Sequence, residues 1–63
     1  MTPTQYITGR HLAREGLGQE DLQVRLKISE AEAKSIMWDH NHDVDMHQAA
    51  NVLEVEVSHE QTN

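Results

Sequence analysis

The sequence predicts a small all-α domain: four to five short helices around a helix-turn-helix, followed by a short extended C-terminal tail. Three observations carry that expectation. At 63 residues the chain has length for one small domain, and a core of that size is marginal, gaining from a partner or a second copy. Apolar residues recur at helical spacing, with Leu22 and Leu26 four apart and Ala33 and Ile36 three apart. Helix-start signatures precede these runs: Thr2-Pro3, Ser29 with Glu32 three residues on, and Asp45 with Gln48 three residues on. Phe is absent and 37% of residues are apolar, so the core must be a lean one of Leu, Ile, Val, Ala and Met.

The first helix is predicted over Pro3 to Glu15, with Thr2 as N-cap and Pro3 in the first helical position. Tyr6, Ile7, Arg10 and Ala13 share its inner face, with Leu12 at the margin. Gly9 weakens this helix by about 1 kcal/mol relative to Ala. Gly16 suits the left-handed residue that closes a helix, and Gly18 the N-cap of the next. Gln19 to Leu26 form the second helix, and Lys27 and Ile28 the turn. Ser29 opens the third helix with the capping-box spacing to Glu32. Helices this short need tertiary support.

Trp38-Asp39-His40-Asn41-His42-Asp43 reads as a polar loop. Asp43 or Asp45 then caps a fourth helix, the Asp45-x-x-Gln48 spacing suiting Asp45, with Met46, Ala49, Ala50 and Leu53 on one face and Val52 on its edge. Leu53 to Ser58 alternates apolar and polar with period two, as a short extended segment does. Residues 59–63 have the composition of a disordered end, which leaves 1–58 as the domain. The predicted core is Ile7, Leu17, Leu22, Leu26, Ile28, Ala33, Ile36, Ala49, Ala50 and Leu53.

Leu17-x-Gln19-Glu20-x-Leu22, Leu26-x-Ile28-Ser29 and Ile36 together resemble the helix-turn-helix of the Cro/cI-like (XRE) family of small transcriptional regulators. Looser similarity runs through Arg14-Glu15-Gly16-Leu17 and through Met46-x-x-Ala49-Ala50-x-Val52-Leu53-x-Val55, so the resemblance covers most of the chain. It implies a helical bundle whose third helix is the DNA-reading element. The sequence departs from that pattern at Gln23, where the family has a small residue, and at Lys27, where it has Gly. A left-handed Lys27 costs about 1–2 kcal/mol.

Charge argues against conventional DNA binding. Net charge is −6 at pH 7. Basic residues Arg10, Arg14, Arg25, Lys27 and Lys34 balance the acidic ones over 1–37, whereas 38–63 hold Asp39, Asp43, Asp45, Glu54, Glu56 and Glu60 with no Lys or Arg. Duplex DNA is bound by neutralising phosphates. At the start of the third helix, where base- and phosphate-contacting residues belong, stand Glu30, Ala31, Glu32 and Lys34. The carboxylates suit the helix dipole in any case, so the shortage of basic groups is the stronger argument. Gln19 alone still suits a phosphate contact.

The outward face of the third helix offers another use. Ala31, Lys34, Ser35 and Trp38 lie at spacings of three and four on it, and Val24 adds an apolar residue where the family is polar. The expected function is therefore a small transcription-regulatory protein that uses this surface (Val24, Glu30, Ala31, Lys34, Ser35, Trp38) to bind and inhibit a protein partner. That partner is expected to be a transcription factor, in the manner of an antiactivator or antirepressor. Two placements of Trp38 fit the sequence: exposed as an anchor, or folded into a core with room for an aromatic. The alternative function is a dimeric Cro/cI-like repressor contacting operator DNA through Gln19, Glu30 and Lys34. In that case the Leu53-Val55-Val57 segment pairs with its copy.

Other chemistry finds little footing. There is no cysteine, hence no disulfide, thiolate site or thiol nucleophile. His40, His42 and His47 beside Asp39, Asp43 and Asp45 have the composition of a zinc, nickel or copper site, but a solvated polar loop has it too, and neither metal nor cofactor is expected. No serine has a base and orienter at hand, and no Gly-rich phosphate loop is present, so no enzyme is expected. The absence of a spanning apolar run or signal-peptide pattern leads to a cytoplasmic expectation with no membrane partner.

Overall fold

The computed structural model describes residues 1–53, which form four helices and no strand. Helix α1 spans Pro3–Arg14, α2 Gln19–Leu26 and α3 Glu30–Asn41; α4 is helical over residues 46–53. The extended segment expected to follow Leu53 and the expected disordered end at 59–63 lie outside the described residues, while Leu53 itself is helical.

The starts and stops follow from local chemistry. The Thr2 hydroxyl accepts from the Gln5 N–H at 3.1 Å, and the Gln5 side chain accepts from the Thr2 N–H at 2.8 Å. The Gln5 amide also donates to the Leu26 carbonyl at 3.1 Å, so the start of α1 satisfies an orphan acceptor at the end of α2. Ser29 and Glu32 form the second reciprocal box, at 3.1 and 2.9 Å. At α4, Asp45 Oδ1 accepts from the Gln48 N–H at 2.8 Å. Gly18, lacking a side chain, makes half a box: its N–H donates to Asp21 Oδ2 at 3.3 Å.

The end of α1 is a Schellman closure. Gly16 sits at φ 100°, its N–H donates to the Ala13 carbonyl, and the Leu17 N–H donates to the Leu12 carbonyl. Lys27 takes the same role after α2, at φ 56° and ψ 46°. A Cβ in that conformation is strained by about 1–2 kcal/mol. Lys27→Gly should therefore stabilise the domain by about 1 kcal/mol, once glycine's greater freedom in the unfolded chain is set against the relief. Thermal denaturation should show the melting temperature rising by about 4–8 °C; no rise would mean that the turn relaxes.

Two expectations are corrected, and the end of the first helix, expected at about Glu15, moves by one residue. First, the polar stretch from Trp38 is helix rather than loop as far as Asn41. It contains no breaker, the His42 N–H donates to the Trp38 carbonyl, and the Val44 N–H to the Asp39 carbonyl, both at 3.0 Å. Asp43, at φ 53°, ends the run. The first helix ends at Arg14, with Glu15 as its C-cap. Second, the core is smaller and differently composed than expected. Leu22, Ile28, Ala33, Ile36 and Ala50 are buried as predicted, together with Tyr6 and Ala13 from the inner face of α1. Ile7, Leu26, Ala49 and Leu53 are only partly buried against this cluster. Leu17 is partly buried at the edge, placed there by the Schellman turn. Tyr6, expected on the inner face of α1 but not in the core, is among the largest fully buried side chains.

Gly9 is the reason α1 and α3 come so close. A Cβ there would stand 2.7 Å from Ile36 Cδ1 and 3.0 Å from Leu26 Cδ1. Gln23, at the position where the resemblance calls for a small residue, is only partly buried.

Candidate functional site

Each residue proposed for the partner surface is exposed: Val24, Glu30, Ala31, Lys34, Ser35 and Trp38. Val24 and Trp38 are 77% and 56% accessible. Of the two placements open to Trp38, the exposed one is therefore found. Ala33 and Ile36 take the inner face of α3, which turns Ala31, Ser35 and Trp38 outward.

Trp38 is braced. The His42 ring stacks on the indole, with centroids 3.7 Å apart and planes 13° from parallel. His42 Nδ1 lies 2.8 Å from the Trp38 carbonyl; a carbonyl only accepts, so Nδ1 carries the proton. A stacked, exposed indole has already lost much of the rotamer freedom that binding would cost.

The basic group on this face, Lys34, has a carboxylate one turn away, with Nζ 3.3 Å from Glu30 Oε1. Glu30 also lines a shallow groove of about 470 Å³ between α2 and the start of α3, with Gln19, Glu20, Gln23 and Val24. This is where a phosphate backbone would approach a DNA-reading helix-turn-helix, and its charged lining residues are both carboxylates. Glu32 is occupied elsewhere. It pairs with the Met1 ammonium and accepts from the Ser29 N–H. The ammonium, then the Ser29 backbone and hydroxyl, hold its carboxyl down at about 2.

A buried polar chain crosses behind this face, and residue spacing alone did not reveal it. Arg10 is 3% exposed. Its Nη1 donates to the Tyr6 hydroxyl at 2.6 Å and its Nη2 to the Val44 carbonyl at 2.7 Å. The Tyr6 hydroxyl donates to Asp39 Oδ2 at 2.6 Å. Burial, and then the Asp39 carboxylate, push the Tyr6 phenol above its ordinary pKa, so it stays a donor. The chain ties α1 to α3 and to the α3–α4 turn. Arg10 Nε is buried without a partner. The sequence signal was the placing of Tyr6 and Arg10, four apart, on an inner face otherwise apolar.

The histidines do not gather. His40 is partly buried on α3, His42 braces Trp38, and His47 is exposed on α4. Among the described residues no three His, Asp or Glu side chains are grouped to hold a metal ion, and no helix is long and apolar enough to cross a membrane.

No family model, curated protein or solved structure matches the chain.

Proposed function

We propose that this chain is a small regulator that binds a protein through the outward face of α3 and the neighbouring edge of α2, inhibiting a transcription factor as an antiactivator or antirepressor. The carrying observation is the His42-braced, exposed indole of Trp38 on a face whose one cation, Lys34, is tied to Glu30. Exposed aromatic anchors among small neighbours dominate protein interfaces. Phosphate binding requires uncompensated cations. The helix-turn-helix resemblance supplies the regulatory context, and an acidic surface suits competition for the basic DNA-binding face of a regulator. The reading places the protein in the cytoplasm, with no catalytic role.

The test replaces Trp38 and Val24 by Ser, singly and together. Both side chains are exposed, so helix content and melting should change little. The immobilised parent chain should retain a regulator that the double variant does not, and the affinity for that purified regulator should fall at least tenfold for Trp38→Ser alone. Equal retention by parent and double variant would refute the surface.

A further inference from the structure

We propose that the groove between α3 and α4 is a second contact for the same partner, and that it receives an apolar helix face carrying an Arg or Lys, whose charge is read by Asp39. The proposal rests on the protein-binding reading above and names the chemistry that the partner must present.

The groove has a volume of about 380 Å³ and is lined by Tyr6, Ser35, Asp39, Ala49, Val52 and Leu53, with Met1 at one end. Ala49, Val52 and Leu53 make one wall apolar, and Val52 remains 52% accessible. The polar side is Ser35 and Asp39. Such a lining, largely apolar with the Asp39 carboxylate on one side and the Glu32-paired Met1 ammonium at one end, is how helix-binding grooves combine affinity with register.

Asp39 is held through the Tyr6 hydroxyl and, among the described residues, makes no direct ion pair. Its Oδ2 accepts from the Tyr6 hydroxyl, and among the described residues Oδ1 takes no hydrogen bond and no cation pairs with either oxygen. Arg10, the basic group behind it, reaches Asp39 only through the Tyr6 hydroxyl: Nη1 donates to that hydroxyl and Nη2 to the Val44 carbonyl, while Nε has no partner among the described residues. The carboxylate is thus oriented by a neutral donor, with one oxygen left for an incoming cation. A guanidinium or ammonium is its natural complement.

Charge selects the occupant. The sequence continuing from Leu53 carries Glu54, Glu56 and Glu60 and no Lys or Arg, and all charges from Asp39 onward are acidic. The chain's own tail therefore has the wrong sign for Asp39, and a second copy carries a net charge of −6 that opposes its approach to this acidic end, whereas a basic partner is drawn to it.

The experiment titrates the full ¹⁵N-labelled chain with a capped helical peptide that places Leu one turn from Arg, and with counterparts bearing Gln or Glu in place of that Arg. The Arg peptide should shift the amides of Ser35, Asp39, Ala49 and Val52 saturably. The Gln peptide should bind at least tenfold more weakly, and the Glu peptide should leave these amides in place. Asp39→Asn keeps an oxygen for the Tyr6 hydroxyl while removing the charge, and should bring the Arg peptide down to the level of the Gln peptide. Val52→Lys, at an exposed position, should block the groove independently. Equal affinity for Arg and Gln peptides, no effect of Asp39→Asn, or no shift at the groove amides would each overturn the proposal. Trp38→Ser should leave the peptide titration unchanged while lowering the affinity for the regulator at least tenfold. Retention that depends on Trp38 alongside a silent peptide titration removes the groove and leaves the proposed function standing.

Discussion

Tyr6→Phe is expected to lower the melting temperature by about 10–20 °C, the consequence of losing about 2–3 kcal/mol in a domain of this length. The deleted oxygen accepts from Arg10 Nη1 and donates to Asp39. Without it a guanidinium that is 3% exposed keeps only its bond to the Val44 carbonyl, beside an Nε that already lacks a partner. Breaking one member of a buried charged network costs more than removing the network, because the charge left behind is neither solvated nor paired. Tyr6→Phe combined with Arg10→Met should therefore melt higher than Tyr6→Phe alone. A double-mutant cycle measured by thermal denaturation checks this. A Tyr6→Phe domain melting within about 3 °C of the parent would show that the phenol's bonds contribute little beyond what water restores.

Gly9→Val should destabilise the domain by about 2–3 kcal/mol, again some 10–20 °C in melting temperature. A single Cβ at Gly9 already lies inside contact distance of Ile36 Cδ1 and Leu26 Cδ1. Ile36 is fully buried, so its δ-carbon has little room to retreat. Two further methyl groups force α1 away from α3 or push Ile36 off its rotamer. The gain in helix propensity from Gly to Val, a few tenths of a kcal/mol, is too small to compensate. Gly9→Ala separates the two effects. It gains about 1 kcal/mol of propensity against a smaller overlap, and should melt near the parent. Urea denaturation of the three proteins, followed by helix content, gives the comparison.

Gly9 shows where the sequence stops being legible. In the chain it stands as a defect in an otherwise regular helix; only the crossing with α3 shows it to be a requirement. Capping residues were legible because each acts within three positions of itself: Thr2, Ser29 and Asp45 open helices in the structure as their spacing predicted. Lys27 was only half legible: the family resemblance marked its position for a left-handed residue, its side chain left a different turn open, and the structure shows φ 56°. The loop assigned to Trp38–Asp43 failed because polarity was read as irregularity, when Trp38 to Asn41 contain nothing that stops a helix. Core depth failed for another reason. Periodicity identifies a face, but Tyr6, Arg10 and Ile7 share a face, and which of them lies deepest depends on partners contributed by α3 and the α3–α4 turn. The exposed set Val24, Glu30, Ala31, Lys34 and Ser35 was legible because helix phase alone turns it outward, whereas Trp38 at the end of the helix was open to either placement until its neighbours were known. The His42 brace and the Asp39 groove were not, since each needs a neighbour beyond the pattern that was read.

The most direct test of the central claim is fluorescence anisotropy of labelled duplexes at low salt, using DNA from the promoter region of the protein's own gene and a random duplex as control. Low salt strengthens every phosphate contact. The predicted result is no saturable binding to either duplex. The expectation rests on Glu20 and Glu30 lining the groove that a phosphate would enter and on the net charge of −6, with Glu30 also one turn from Lys34. Tight binding to the promoter duplex but not the control, weakened by Gln19→Ala and Lys34→Ala, would contradict the account and make the chain an operator-binding repressor.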